Sequence, residues 1–301
     1  MQTWIYITIA AAFSQNLRFM LQKQLKATRL STGGATFARF VYSAPLVVLL
    51  ITLYFWAQGY TLPHIPHHFW IYAFSGGIAQ ILATMCVVAL FAERNFAVGI
   101  TFKKTEVVQT AFLGLIVLGE GISFLGFIAI SIGFLGVILL SDPPVKTDAP
   151  WAQRIFNRSA GLGLLSGVLF AVSAIGYRGA SLSLEITDFV ARAGVTLAFV
   201  VTFQTLVMCI WLRLREAGEI TRVFKHWRVG ALVGLTSMIG SFGWFAAFTL
   251  QNAAYVKALG QTELLFSFIT GIVVFREKTS PRELAAMGLV SISIIVLILA
   301  I

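Results

Sequence analysis

Ten stretches of the chain are apolar almost throughout, at about 3–22, 32–56, 68–91, 97–118, 121–141, 159–180, 187–212, 228–250, 255–275 and 281–300. Each is near the ~20 residues that an α-helix needs to cross a ~30 Å hydrocarbon core. Phe, Leu, Ile, Val, Ala and Gly fill them, without the in–out alternation of a membrane barrel. The pattern predicts an all-α polytopic membrane protein with ten transmembrane helices. The polar residues inside these stretches are few, and their positions repeat. Thr105-Glu106 interrupts the fourth stretch and Thr262-Glu263 the ninth, and a second glutamate follows each, Glu120 and Glu277. Both pairs lie 157 residues apart (263 less 106, and 277 less 120). At the same offset Phe91 falls on Phe248, Asn95 on Asn252, Gly114 on Gly271, Val117 on Val274 and Ser123 on Ser280. The expected organisation is a first five-helix repeat over 1–141, a polar, proline-containing linker over 142–158, and a second repeat over 159–301.

Composition and charge narrow the class. Of 301 residues, 58% are hydrophobic and 11% charged, against roughly 25% charged in soluble domains. The net charge of +10 is scattered over short loops and forms no stripe, so nucleic acid is not an expected partner. Lysine and arginine crowd the loops after helices 1, 3, 5, 7 and 9 and nearly avoid those after 2, 4, 6 and 8. The two halves therefore carry opposite charge bias, as inverted repeats of five helices require. By the positive-inside rule the basic loops are cytoplasmic and both termini face outward. Cys86 and Cys209 lie in apolar stretches and read as free thiols. His64, His67 and His68 flank Pro66 in what reads as a plain loop rather than a metal site. The first apolar run has neither a basic start nor a small-residue cleavage site, so it reads as the first membrane helix. No metal and no cofactor are expected. A Gly-rich phosphate loop and a histidine–carboxylate helix motif are both missing, which argues against an enzyme.

A carboxylate in the middle of an apolar segment is expensive and usually functional. At ~1.5 Å rise per residue, Glu106 and Glu263 fall within about 3 Å of the midpoints of helices 4 and 9. Facing each other across a cavity, two such groups would hold a proton between them, which suits proton coupling. Lys103, Lys104 and Lys257 are close enough in sequence to pair with them and keep them ionised. The glutamates are thus either direct participants or partners of lysines that meet an anionic solute. Lys257 precedes Glu263 by six residues and lies on another helical face, which marks it as an unpaired cation. Ser14 to Arg18 is too polar for a lipid-facing turn, so Gln15, Asn16 and Arg18 are expected inside, with snorkelling to the surface as the alternative for Arg18. Gly76, Gly77, Gln80 and Thr84 share one face of helix 3, for packing or for lining a cavity. Tyr177, Arg178, Trp244 and Gln261 complete the candidate solute-binding set. Arg39 and Arg192 read as structural or interfacial, Glu120 and Glu277 as turn-shaping residues, Lys23, Lys26 and Arg29 as a basic loop, and Pro45 as a kink.

Over nearly its whole length the chain resembles the drug/metabolite transporter superfamily, EamA type. The resemblance rests on the five-plus-five repeat, on Arg39-Phe40 early in helix 2, and on Gly119-Glu120 followed by Gly126, Gly133 and Gly136. Glu277-Lys278-Thr279 with Gly288 are the second-half counterparts. It implies ten helices, a cavity between the halves, alternating access and transport of small metabolites, often export. Members commonly carry a proline early in helices 4 and 9, where this chain has Glu106 and Glu263, so the site here is more ionic. The expected function is proton-coupled export of a small polar metabolite, zwitterionic or anionic, such as an amino acid derivative or organic acid. The alternatives are exchange of anionic or phosphorylated metabolites on lysine ligands, or a non-transporting assembly partner. The expected partners are a small-molecule substrate, protons and the lipid bilayer. The implied location is a bacterial inner (plasma) membrane, where a monomer suffices.

Overall fold

A computed structural model of the chain describes residues 3–27, 30–93, 103–141, 158–273 and 280–299. The described residues form thirteen α-helices and no strand. They are α1 Thr3–Ala27, α2 Thr32–Val41, α3 Ala44–Gln58, α4 His67–Glu93, α5 Glu106–Leu118, α6 Phe124–Ser141, α7 Arg158–Leu182, α8 Phe189–Arg215, α9 Glu219–Lys225, α10 Trp227–Leu250, α11 Ala253–Leu259, α12 Thr262–Val273 and α13 Pro281–Leu299. Five spans among them are long and apolar enough to cross a membrane: Thr32–Gln58, His67–Leu90, Gly161–Leu182, Phe189–Arg215 and Trp227–Leu250. Their outward faces carry large apolar side chains such as Leu49, Leu53, Trp56, Ile71 and Ile210, the surface a bilayer covers. Residues 142–157 of the expected linker, and Glu277, lie outside the described residues.

Three of the predicted stretches are not single straight helices. The second breaks at Tyr42-Ser43, where Pro45 enters the first turn of α3. Proline brings no N–H and its ring blocks the preceding turn. The Ser43 hydroxyl donates instead to the Arg39 carbonyl at 2.7 Å, satisfying a group the break leaves open. The ninth breaks at Gly260-Gln261, between α11 and α12. Tight i→i−3 bonds, Glu263 N to Gly260 O at 3.1 Å and Leu264 N to Gln261 O at 2.8 Å, close that turn. In the fourth, a turn at Lys104-Thr105 precedes α5. The expectation of mid-helix glutamates is therefore corrected: Glu106 opens α5 and Glu263 is the second residue of α12. A carboxylate at a helix N-terminus is favoured by the dipole and the free N–H groups there. The expected basic loop after helix 1 is also corrected, because α1 runs on through Lys23 and Lys26 to Ala27.

Helix pairs are tightest at α4–α7, α6–α13 and α1–α10. Lipid offers little hydrophobic drive for helix association, so small residues that allow close approach matter more. A Cβ on Gly176 would sit 2.7 Å from the Tyr72 carbonyl and 2.9 Å from the Gly76 Cα. A Cβ on Gly243 would meet the Ala11 Cβ at 2.8 Å. These contacts are with backbone or with a methyl that cannot swing aside. Gly176→Val should therefore overpack the α4–α7 seam at a cost of about 1–3 kcal/mol. It should lower the apparent unfolding temperature of the detergent-solubilised protein; an unchanged temperature would mean that the seam is looser than described.

Candidate functional site

The breaks before α5 and α12 bring three lysines and two glutamates together inside the bundle. Glu263 is fully buried. Its Oε2 accepts from Lys104 Nζ at 2.5 Å, Gln15 Nε2 at 2.9 Å and Lys103 Nζ at 3.1 Å. Lys104 also donates to the Gly260 carbonyl at 3.3 Å, which accepts from Glu263 N as well. Glu106 is held more loosely, with Lys257 Nζ 3.5 Å from Oε2 and Lys103 Nζ 3.9 Å from Oε1. Its Oε2 makes no hydrogen bond, and neither does Glu263 Oε1. Each glutamate thus meets a cation from the opposite half of the chain. Lys257, expected to be unpaired, is paired with Glu106, because the ion pairs run between the halves and not along one helix.

Aromatic rings complete the lysine environment. Lys257 Nζ lies 4.9 Å from the Trp244 ring centroid and 5.6 Å from that of Phe248, within cation–π range. Lys257 lines a cavity of about 20 Å³ with Gln15, Gln80, Tyr177, Ser241 and Trp244. That space suits about one water. A narrow crevice beside it is lined by Arg18, Ser237, Ser241, Trp244 and, again, Gln15. Arg18 is 2% exposed, so it lies inside and does not snorkel. Its Nη2 donates to Gln15 Oε1 at 3.4 Å and its guanidinium lies over the Phe19 ring at 4.4 Å.

The structure brings together Gln15, Arg18, Lys103, Lys104, Glu106, Lys257, Glu263 and Trp244. Asn16 is buried in α1 and Gln261 in the turn between α11 and α12, and Gln261 Oε1 lacks a hydrogen-bond partner. Gln80 accepts from the Tyr177 hydroxyl at 2.9 Å, and Tyr177 stacks on Phe245 at 4.2 Å. Arg178 is engaged elsewhere: its Nε donates to Glu120 at 2.5 Å and its Nη1 to the carbonyls of Phe248 and Gln251. Two participants were not among the sequence-derived candidates. Gln204 donates to Gln80 at 3.0 Å, to Tyr177 at 3.1 Å and to the Gly77 carbonyl at 3.0 Å; a lone amide in the apolar run of α8 was its signal. Arg39, read as structural or interfacial, is 3% exposed and fully interior.

Comparison with known proteins agrees with this architecture. Residues 2–142 match the EamA-like transporter family, which belongs to the drug/metabolite transporter superfamily. That is a family of membrane transporters of small molecules rather than of enzymes. No curated protein matches the chain significantly. One solved crystal structure of a protein aligns with 100% of this chain and 99% of its own at a TM-score of 0.68 and 14% identity, a likeness of fold.

Breaking a buried ion pair by removing one partner costs about 3–5 kcal/mol, because the remaining charge stays buried. Glu263→Gln should therefore lower the unfolding temperature well below that of Glu106→Gln, whose contacts are longer and fewer. Equal losses for the two variants would contradict the distribution of ion pairs described here.

Proposed function

We propose that this chain, whose residues 2–142 match the EamA-like transporter family, is a secondary transporter carrying a small anionic metabolite by alternating access between two inverted repeats of five helices. The observation that carries this reading is the charge inside the bundle. Among the described residues of the bundle interior, five cations (Arg18, Arg39, Lys103, Lys104 and Lys257) face two carboxylates, Glu106 and Glu263, an excess of three positive charges. The other buried carboxylate, Glu219, sits in the short α9 and pairs with Arg222 at 2.9 Å. Uncompensated charge in a low-dielectric interior is costly, and a bound anion would relieve it.

The packing supports the inverted repeat. Under the 157-residue offset the α4–α7 contact exchanges with α1–α10, and α2–α10 with α8–α4; both members of each exchange are present. Two clusters tie opposite ends of the bundle. One joins Arg178 to Glu120 and to the end of α10. The other joins Ser31 to Glu216 and Glu219, with Ser31 N 2.6 Å from Glu219 Oε1. By the loop-charge rule the second end faces the cytoplasm. A 20 Å³ cavity is far below the ~300 Å³ of an ordinary ligand pocket, so the halves must part to load a solute.

Proton linkage fits Glu106 better than Glu263, which two lysines and an amide already hold. Lys257 is shared between Glu106 and the cavity, so a proton on Glu106 would release Lys257 to the solute anion. Acid then favours anion binding, and the two cross together. A second version follows from Glu106 Oε2, which makes no hydrogen bond and meets Lys257 only at 3.5 Å. There a zwitterion places its ammonium on Glu106 and its carboxylate on Lys257, and an incoming proton displaces it, which drives export. Proteoliposomes with an imposed pH gradient separate the two. The anion version predicts uptake of labelled organic acids from the acid side, and the zwitterion version predicts expulsion toward the acid side. Lys257→Gln should lower either flux by about tenfold or more. In the anion version Glu106→Gln should keep counterflow and lose the response to the gradient, whereas in the zwitterion version it should lose both. A gradient response that survives Glu106→Gln would remove this residue from coupling, and wild-type counterflow without any gradient response would favour the exchanger.

A further inference from the structure

We infer that the site takes a solute bearing two separate anionic groups, one met by Lys257 and the other by Arg18 together with Arg39. The inference rests on reading the buried cations as an anion site, and it deepens that reading.

Arg39 extends from α2 into the bundle and donates to three hydroxyls: Thr84 Oγ1 at 2.9 Å, Ser237 Oγ at 3.1 Å and Ser241 Oγ at 3.4 Å. Hydroxyls orient a guanidinium without neutralising it. Arg18 donates to the neutral amide of Gln15, and its buried Nε has no partner. Among the described residues, neither arginine has a carboxylate within ion-pair distance, whereas all three lysines do. The lysine end thus nearly balances itself, three cations to two carboxylates. The arginine end contributes two whole charges with no counter-ion. A singly charged solute would leave two of the three surplus charges buried and unpaired.

The two ends share lining residues. Gln15, Ser241 and Trp244 line both the cavity that holds Lys257 and the crevice that holds Arg18. Ser241 also accepts from Arg39. Gln15 bridges the ends through a single side chain, its Nε2 donating to Glu263 and its Oε1 accepting from Arg18. Between them Trp244 Nε1 is buried without a partner, an N–H donor available to an anionic oxygen. Planar guanidinium forks suit carboxylate or phosphate oxygens, whereas a lysine acts as a point charge. The solute class is accordingly a short dicarboxylate or a carboxylate-bearing phosphate ester.

Isothermal titration of the full-length protein in detergent at low salt tests this, with succinate, glutarate and 3-phosphoglycerate against butyrate. The expected result is binding of at least one doubly anionic probe about tenfold tighter, or more, than butyrate. Arg39→Gln should remove most of that preference, and Arg39→Lys should keep part of it. The wild-type comparison needs no variant, and Arg18→Gln supplies an independent one should Arg39→Gln fail to fold. Butyrate binding as tightly as every doubly anionic probe would overturn the inference, and so would a preference untouched by both substitutions; in either case the anion site would stand. Failure of every anion to bind wild-type protein would overturn the anion site itself.

Discussion

Charge held inside an apolar bundle constrains everything else in this molecule. A lysine or arginine away from water needs an anion, a ring face or a set of oxygens to stay ionised there. Among the described residues of the bundle interior there are two carboxylates for five such cations. The chain supplies them across the junction between its halves, so Lys103 and Lys104 meet Glu263 while Lys257 meets Glu106. These ion pairs tie the segment of Lys103 to Glu106 to the segment of Lys257 to Glu263.

The broken helices make that arrangement possible. A continuous helix through Lys103–Glu106 or Lys257–Glu263 would spend its backbone groups internally and point its charged residues around the axis. The turns at Lys104-Thr105 and Gly260-Gln261 open carbonyls and N–H groups at depth, which is tolerated where they face a polar interior. Lys104 takes up the Gly260 carbonyl at 3.3 Å, and the carboxylates stand at the starts of α5 and α12. Around this centre close helix seams, such as Gly176 against the Tyr72 backbone, leave little spare room. That is consistent with a cavity no larger than about one water.

Much of this was legible in the sequence. The apolar stretches predicted an all-helical membrane protein. The 157-residue offset singles out Glu106 and Glu263, and the sequence offers Lys103 and Lys104 as partners for them while marking Lys257 as unpaired. Which lysine pairs with which glutamate was not legible, because spacing along one helix says nothing about pairing across halves. The helix breaks were hidden as well: hydrophobic periodicity runs unbroken through Gly260-Gln261, while Pro45 announced the break in the second stretch plainly. Arg39 was undervalued because an arginine next to a helix start resembles a surface residue until Thr84, Ser237 and Ser241, from two other helices, are seen around it. Gln204 went unmarked for the same reason, its partners lying on α4 and α7.

The most direct test of an anion-seeking interior is a thermal-shift screen of the purified wild-type protein against organic acids, neutral sugars and quaternary amines, each at low and high salt. A ligand at about 100 times its dissociation constant stabilises the folded state by about 2.7 kcal/mol. A charge excess buried as described predicts that organic anions raise the unfolding temperature and that neutral sugars and quaternary amines do not. Stabilisation by quaternary amines with no response to anions would contradict it.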